Sequence, residues 1–165
     1  MNSQPDTCQG GLDLALRPAS NSDSSLILSW RNDASTVATT LSRRSVKIDE
    51  HGPWFASKLD DPLCEMFIIL GAEGPVGMVR VDYDENEGLI SIVIGPEHRG
   101  KGIATAALRL VRTQLASYAD RPALGAEILA SNTASLRAFR SAGFRTVAND
   151  GSVVHMTEIH SDQVR

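Results

Sequence analysis

The stretch that decides the fold is Leu89-Ile90-Ser91-Ile92-Val93-Ile94-Gly95-Pro96-Glu97-His98-Arg99-Gly100-Lys101-Gly102-Ile103-Ala104-Thr105. It begins with an almost unbroken apolar run, typical of a buried strand, and continues through a turn rich in glycine. Apolar or small residues then recur at helical spacing from Ile103 onward. The pattern predicts a strand, a turn and a long helix in succession.

The turn itself predicts an anion-binding site. Gly100 and Gly102 let the backbone approach a ligand closely, and the N–H groups of the first helical turn have no partners within the helix. A pyrophosphate fits such a turn best. For Gly-x-Gly alone, the alternative is a tight bend without a ligand. A Walker loop is excluded because Lys101 is followed by Gly102, where that motif requires Ser or Thr. A Rossmann fingerprint is excluded because Thr105 stands where that motif has its third glycine or an alanine.

The segments on either side predict a mixed α/β fold with one sheet flanked by helices. Three apolar or alternating runs, separated by short loops rich in glycine and acidic residues, indicate an antiparallel meander before the long helix. The predicted strands lie at about 12–16, 66–70, 76–83, 89–94, 123–130, 145–147 and 153–159, and the helices at about 23–32, 49–59, 103–118 and 132–139, with Gly143 as a left-handed C-terminal residue.

Composition restricts the function further. The chain has 165 residues, 42% of them hydrophobic and 22% charged, which is typical of one globular domain. A net charge of -4 argues against nucleic acid, and two cysteines outside any Cys-x-x-Cys pair argue against a zinc site or other metal. We expect a flexible leader at residues 1–11, a domain at 12–160, no membrane span and a cytoplasmic location. Whether the chain forms a homodimer is left open.

Two motifs resemble the GNAT superfamily of N-acetyltransferases. Arg99-x-x-Gly102-x-Ala104, preceded by Pro96-Glu97, looks like the family signature Arg/Gln-x-x-Gly-x-Gly/Ala. Asn132-x-x-Ser135-x-x-x-Phe139-x-x-x-Gly143-Phe144 resembles the family's downstream segment at the expected distance. Together the motifs are far more specific than either alone, and the resemblance spans roughly residues 12–159.

The resemblance implies a mostly antiparallel sheet that splays into a V and receives acetyl-CoA as co-substrate. Exposed strand backbone would pair with the pantetheine, and the amides of the turn would hold the pyrophosphate. The Asn132 side chain would contact the pantetheine, and Phe139 would pack along the cofactor. The implied cofactor-binding residues are Ile92, Val93, Ile94, Arg99, Gly100, Lys101, Gly102, Ile103, Ala104, Thr105, Asn132 and Phe139. For Asn132, a plain helix N-cap is an alternative compatible with that role.

Acetyl transfer to an amine requires loss of a proton, which points to Glu127. This carboxylate stands among apolar neighbours in the strand before Asn132, where many relatives place a catalytic Glu. We expect a partly buried general base acting through water, and the alternative is a solvent-facing strand residue or half of an ion pair. Phe139 stands where many relatives have the Tyr that protonates the leaving thiolate, which leaves solvent, Tyr83 or Tyr118 for that role.

The acceptor pocket is expected from the first two helices and the third strand. Trp30-Arg31-Asn32 and Asp49-Glu50-His51-x-x-Trp54-Phe55 are similar to enzymes that acetylate nucleotide-linked amino sugars, such as those of the pseudaminic acid pathway, and in part to ribosomal-protein acetyltransferases. A nucleotide-linked amino sugar is therefore the favoured acceptor. A protein or peptide substrate, and a CoA-binding module without catalysis, are the alternatives. The candidate acceptor-binding residues are Trp30, His51, Trp54, Phe55, Arg80 and Asp82, with core packing or ion pairing as the plain alternative.

Overall fold

The computed structural model describes residues 12–118 and 120–159; the predicted leader at 1–11 lies outside them. The strands are β1 Ala15–Pro18, β2 Cys64–Gly71, β3 Gly74–Tyr83, β4 Glu87–Ile94, β5 Ala123–Leu129, β6 Phe144–Asn149 and β7 Val153–Glu158. The helices are α1 Ser24–Arg31, α2 Ala34–Thr39, α3 Ile48–Asp60, α4 Ile103–Leu115 and α5 Thr133–Ser141. Within the described ranges, no helix is long and apolar enough to cross a membrane.

All seven strands form one sheet in the order β1-β2-β3-β4-β5-β7-β6. Every neighbouring pair is antiparallel except β4 and β5, which run parallel. These two strands pair only from Glu87 opposite Ala123 to Leu89 opposite Gly125, whereas β4 pairs with β3 as far as Ile94. Beyond Leu89 the strands therefore separate and leave a V-shaped gap, which confirms the predicted mixed, splayed sheet.

Each face of the sheet has its own core, because alternate residues of a strand point to opposite faces. On one face, Val79 and Val81 are completely buried in a cluster with residues of α4, among them Leu108 and Val111. On the other face, Ile68 packs in a cluster with residues of α1 and α3. The gap between β4 and β5 thus opens in the middle of a layered structure.

Several predicted boundaries differ from the structure. Leu12, predicted to lie in the first strand, precedes β1 and is 46% exposed, and Tyr118, predicted at the end of the long helix, lies beyond α4. Asp49 was the expected cap of α3, but the helix begins one residue earlier, at Ile48, so Asp49 lies in its first turn. The sequence pattern also missed α2 altogether, because this six-residue helix is rich in Ser and Thr and has no apolar stripe.

Candidate active site

The gap between β4 and β5 presents backbone groups that are not paired with another strand. The Gly95 N–H donates to the Val76 carbonyl at 2.9 Å and the Asp84 N–H to the Glu87 carbonyl at 2.9 Å, so odd-numbered residues of β4 bond to β3. The N–H and C=O groups of Ile92 and Ile94 consequently point into the gap. The backbone of Val93, predicted to take part with them, is committed to β3 instead.

The glycine turn beside this gap has the geometry that an anion site requires. Gly100 and Gly102 have φ angles of 73° and 76°, in the left-handed region that glycine adopts most readily. Gly102 is the N-cap of α4, and no side chain caps the helix there. The first N–H groups of α4 are therefore available to a ligand, with the positive end of the helix dipole behind them.

The guanidinium of Arg99 is held by hydrogen bonds to other residues of the chain. Its Nε donates to the Ile94 carbonyl oxygen at 3.0 Å, and Nη1 donates to Asp33 Oδ1 at 2.8 Å. Nη1 also contacts Ser35 Oγ, and Nη2 donates to Thr36 Oγ1 at 2.7 Å. Arg99 thus ties the glycine turn to the N-terminal end of α2, although its position in the signature predicted a cofactor contact.

Asn132 forms a second tie to α2. Its Oδ1 accepts the Ser135 N–H at 3.1 Å, which is the predicted N-cap of α5. Its Nδ2 donates to the Thr39 carbonyl oxygen at 3.4 Å. The short helix α2 is thereby held between the two family motifs.

Two adjoining cavities lie along the gap. The cavity at the turn, here the glycine-turn cavity, has a volume of about 600 Å³, and the other, here the arginine-lined cavity, has about 570 Å³. They adjoin each other, since seven residues line both cavities: Thr36, Thr39, Thr40, Ile92, Val93, Asn132 and Ser135.

Ten of the twelve predicted cofactor-binding residues line the glycine-turn cavity: Ile92, Val93, Ile94, Arg99, Gly100, Gly102, Ile103, Ala104, Thr105 and Asn132. Lys101 does not, because it is exposed and its Nζ donates to the Glu97 carbonyl oxygen at 3.1 Å. Phe139 lines the arginine-lined cavity instead; it is buried and packs edge-on against Phe144, with ring centroids 5.0 Å apart.

Glu127 lines the arginine-lined cavity from β5. Ala126 and Ile128, its neighbours along the strand, are buried in the core on the opposite face, so alternation turns the Glu127 side chain toward the cavity. The residue is exposed, and the partial burial expected for it is therefore wrong. Its carboxylate is accessible to water and to a ligand in the cavity.

Three of the six predicted acceptor-binding residues line this cavity, namely His51, Trp54 and Arg80. Trp54 is 38% exposed, and the Arg80 guanidinium lies 5.0 Å from its ring centroid, in the geometry of a cation–π contact. Arg80 Nε also donates to Asp82 Oδ2 at 2.6 Å. The aromatic surface of the cavity therefore has at its edge a guanidinium that is held by an ion pair with Asp82.

The structure does not bring Trp30, Phe55 or Asp82 to either cavity. Trp30 and Phe55 are 3% and 1% exposed and belong to the core under α1 and α3. The Trp30 indole packs over Gly95, where an added Cβ would come within 2.8 Å of its Nε1. Asp82 accepts from Lys58 Nζ at 2.7 Å as well as from Arg80, so ion pairing is its role in this structure.

His51 is buried and joins α3 to α1. Its Nε2 lies 3.0 Å from the Ser24 carbonyl oxygen, which can only accept, so Nε2 carries the proton. Burial lowers the pKa of His51 and outweighs this hydrogen bond, which raises it. Burial therefore favours the neutral form of the His51 imidazole.

Neither tyrosine proposed as a general acid lines the cavities. The Tyr83 hydroxyl donates to Glu65 Oε2 at 2.7 Å, and burial, followed by this bond, raises the Tyr83 pKa far above its ordinary value. Tyr118 is 52% exposed and lies beyond the end of α4. No tyrosine is therefore found among the described residues that line the two cavities, so none is placed to protonate a leaving thiolate there.

The family model of the acetyltransferase (GNAT) domain matches residues 13–145, which is most of the chain. The chain belongs to the GNAT acetyltransferases. This GNAT chain is therefore an N-acetyltransferase that depends on acetyl-CoA. A comparison with curated protein sequences gave no significant match.

Solved structures of the same fold include a spermidine N-acetyltransferase from Vibrio cholerae in complex with CoA and spermine (18% identity, TM-score 0.76, 87% of this chain and 94% of that one). A domain from Methanocaldococcus jannaschii has 24% identity and a TM-score of 0.79, over 89% of this chain and 98% of that one. The aminoglycoside acetyltransferase AAC(6')-Ib in complex with coenzyme A and kanamycin has 17% identity and a TM-score of 0.75, over 90% and 95%. At these identities the likeness establishes the GNAT fold.

Some residues around the GNAT site were absent from the predicted site. Thr36, Thr39 and Thr40 line both cavities, and Arg44 lines the arginine-lined cavity beside Arg31, whose segment was expected there. One signal for α2 was present in the sequence: Asp33 stands three residues before Thr36, whose N–H its Oδ1 accepts at 3.3 Å as an N-cap. Nothing in the sequence indicated that this helix would cover the gap.

Proposed function

We propose that this GNAT enzyme binds acetyl-CoA in the glycine-turn cavity and transfers its acetyl group to a primary amine of a small molecule in the arginine-lined cavity. The observation that carries the proposal is the gap between β4 and β5, along which the two cavities join. A thioester lying along the gap would reach the acceptor through this junction. Glu127 lies on the acceptor side of it.

The residues of the glycine-turn cavity suit the separate parts of CoA. The uncapped N-terminus of α4, with Gly100, Gly102 and the amides through Thr105, is suited to the pyrophosphate. The backbone of Ile92 and the N–H of Ile94 offer strand-like hydrogen bonds to the pantetheine amides. We assign Arg99 and Asn132 to the walls of this site, because their polar atoms already bond to α2 or to the neighbouring backbone.

Glu127 is the proposed general base. An alkylammonium has a pKa of about 10.4, so the amine must lose a proton before its lone pair can attack the thioester carbonyl carbon. The Glu127 carboxylate accepts that proton, directly or through one water molecule. The C–N bond then forms as the C–S bond breaks, the electron pair of the C–S bond leaves on the CoA sulfur, and the nitrogen releases its second proton to water as the amide forms.

The departing sulfur takes its proton from solvent in this scheme. Phe139, which has no proton to give, occupies the position of the usual tyrosine, and Tyr83 and Tyr118 line neither cavity. A thiol has a pKa of about 8.5, so its thiolate is a fair leaving group without a positioned acid. The proposed chemistry therefore needs one protein group, Glu127, rather than an acid–base pair.

A nucleotide-linked amino sugar is the specific acceptor that we favour. The partly exposed ring of Trp54 is suited to stacking on a sugar or a nucleobase. The neighbours crystallised with spermine and kanamycin bind small-molecule amines, which is consistent with a small acceptor. A peptide acceptor is less well supported, because residues 40–47 lie against the cavity and limit the room for an extended chain. Two hydrogen bonds hold this segment in place: the Asn32 side-chain amide donates to the Val46 C=O and accepts from the Val46 N–H, each at 2.7 Å.

Release of free thiol from acetyl-CoA, measured with a panel of amines, sugars and peptides, tests the proposal. We expect a nucleotide-linked amino sugar to raise thiol release well above background and to give an N-acetylated product by mass spectrometry. Peptides acetylated in preference to small amines would reject the small-molecule acceptor. Binding of acetyl-CoA without acetylation of any member of the panel would reject the proposed reaction.

A further inference from the structure

The arginine-lined cavity has an uneven distribution of charge. Arg31, Arg44 and Arg80 line it, together with only two carboxylates, Glu50 and Glu127. Glu50 is occupied by Arg44, whose Nη1 lies 3.0 Å from its Oε2, and Arg80 is paired with Asp82. Among the residues that the structure describes, no carboxylate lies within ion-pairing distance of Arg31.

Arg31 is the last residue of α1, and its guanidinium is incompletely bonded. Its Nη2 donates to Ser42 Oγ at 2.8 Å, while its Nη1 is buried without a hydrogen-bond partner among the described residues. Burial, and then the nearby charge of Arg44, lower the Arg31 pKa. Both guanidinium groups line the same cavity, and one nitrogen of Arg31 lacks a hydrogen bond, so an anion bound between them would offset their like charges and supply the missing partner.

The segment that covers the cavity has the same sign of charge. Residues 40–47, here called the basic strap, include Arg43, Arg44 and Lys47, and no Asp or Glu occurs anywhere from residue 34 to residue 48. The side chain of Arg44 is 64% exposed. Such a surface attracts anions and repels polycations on their way to the cavity.

From these observations we infer that the acceptor carries an anionic group, a phosphate or a carboxylate, in addition to its amine, and that Arg31 and Arg44 form the subsite for it. The inference rests on the proposed function, because Glu127 on β5 would receive the amine while the anion lies toward α1 and the basic strap. It goes beyond a nucleotide sugar, since any amine with a suitably placed acidic group satisfies the arginines. An acceptor that is a polycation is excluded.

Matched pairs of amines test the inference in the presence of CoA or acetyl-CoA. The pairs are glucosamine and glucosamine 6-phosphate, ethanolamine and O-phosphoethanolamine, and n-butylamine and 4-aminobutanoate, with spermidine as the polycation. Turnover is measured by thiol release, and binding to the CoA-loaded protein by calorimetry. The variants are Arg31→Gln and Arg44→Gln, and the control is Arg140→Gln, an exposed residue of α5 that lines neither cavity.

We expect the acidic member of at least one pair to exceed its neutral partner by about 10- to 100-fold in kcat/KM or in affinity, the effect of one or two charge-assisted hydrogen bonds. The phosphate pairs and the carboxylate pair distinguish the two sources of charge. Arg31→Gln and Arg44→Gln should each remove most of the preference without changing the KM for acetyl-CoA, and Arg140→Gln should keep it.

The two readouts separate this inference from the proposed function. Turnover without preference for any acidic member, preference for spermidine, or a preference that survives in Arg31→Gln would overturn the anionic subsite and leave the acetyl transfer intact. Arginine-dependent binding of an acidic amine without any turnover would overturn the proposed reaction and leave the subsite intact. Absence of preference in both turnover and binding would overturn the subsite.

Discussion

Replacement of Glu127 by Gln tests the proposed base most sharply. The residue is exposed on β5, so the change should alter the free energy of unfolding by no more than about 0.5 kcal/mol. General bases contribute about 10²- to 10⁴-fold to rates. Glu127 lies in a water-accessible cavity, and no other described residue forms a hydrogen bond or ion pair that would orient its carboxylate. We therefore expect the lower end of that range, about 100-fold in kcat at pH 7.4, or about 3 kcal/mol in activation free energy.

The pH dependence of this variant gives the decisive signature. Without a base the enzyme must use the amine that is already neutral, which is about a thousandth of an alkylamine near pH 7.4. The kcat/KM of Glu127→Gln should therefore rise about tenfold per pH unit up to the pKa of the acceptor, whereas the native profile stays flat over that range. The assay is thiol release between pH 7 and 9.5, with Glu73→Gln, an exposed change in the turn between β2 and β3, as the control. A native rate, or a variant profile parallel to the native one, would refute the role of Glu127.

Three further predictions concern the turn, α2 and the N-terminal part of the fold. Gly102→Val should lower CoA affinity about tenfold or more in calorimetry, because a β-branched residue cannot keep φ at 76° and its side chain crowds the anion. The control Gly52→Ala has no atom near the added Cβ and should bind CoA normally. Unchanged affinity in Gly102→Val would contradict the placement of the pyrophosphate. Arg99→Gln should raise the KM for the acceptor as well as the KM for acetyl-CoA, because it releases α2, which lines both cavities. An effect confined to acetyl-CoA would instead make Arg99 a cofactor ligand. Asp23 has its pKa lowered from 3.8 to about 2, first by the hydrogen bond from Arg17, so its stabilisation of about 2 kcal/mol is present above about pH 4 and lost as the pH falls to 2. Asp23→Asn should be less stable than the native protein at pH 6 and equally stable near pH 2 in thermal melts, and a constant difference across that range would contradict the assignment.

Local patterns in the sequence were enough for the elements that build the cofactor side. β4 and α4 have strong strand and helix periodicities, and the turn between them needs two left-handed residues, which glycine supplies. Gly143 has the predicted left-handed conformation, with φ at 93°, at the end of α5. These features depend on neighbours in the chain, and for that reason they could be predicted.

The acceptor side depends on contacts between distant parts of the chain. Arg99 bonds to Asp33 and Thr36, more than sixty residues away, and no local pattern predicts such a pairing. Trp30 and Trp54 both lie on amphipathic helices, yet packing buries the first in the core and leaves the second partly exposed at the cavity. Spacing alone does not distinguish an aromatic residue of the core from one that lines a pocket.

A crystal structure of the chain with CoA bound would test the proposed acetyl-CoA site most directly. We expect the pyrophosphate on the amides from Gly100 to Thr105, the pantetheine hydrogen-bonded to the β4 backbone at Ile92 in the gap, and the sulfur where the two cavities adjoin, facing Glu127. CoA bound outside the gap, or a sulfur directed away from the arginine-lined cavity, would contradict it.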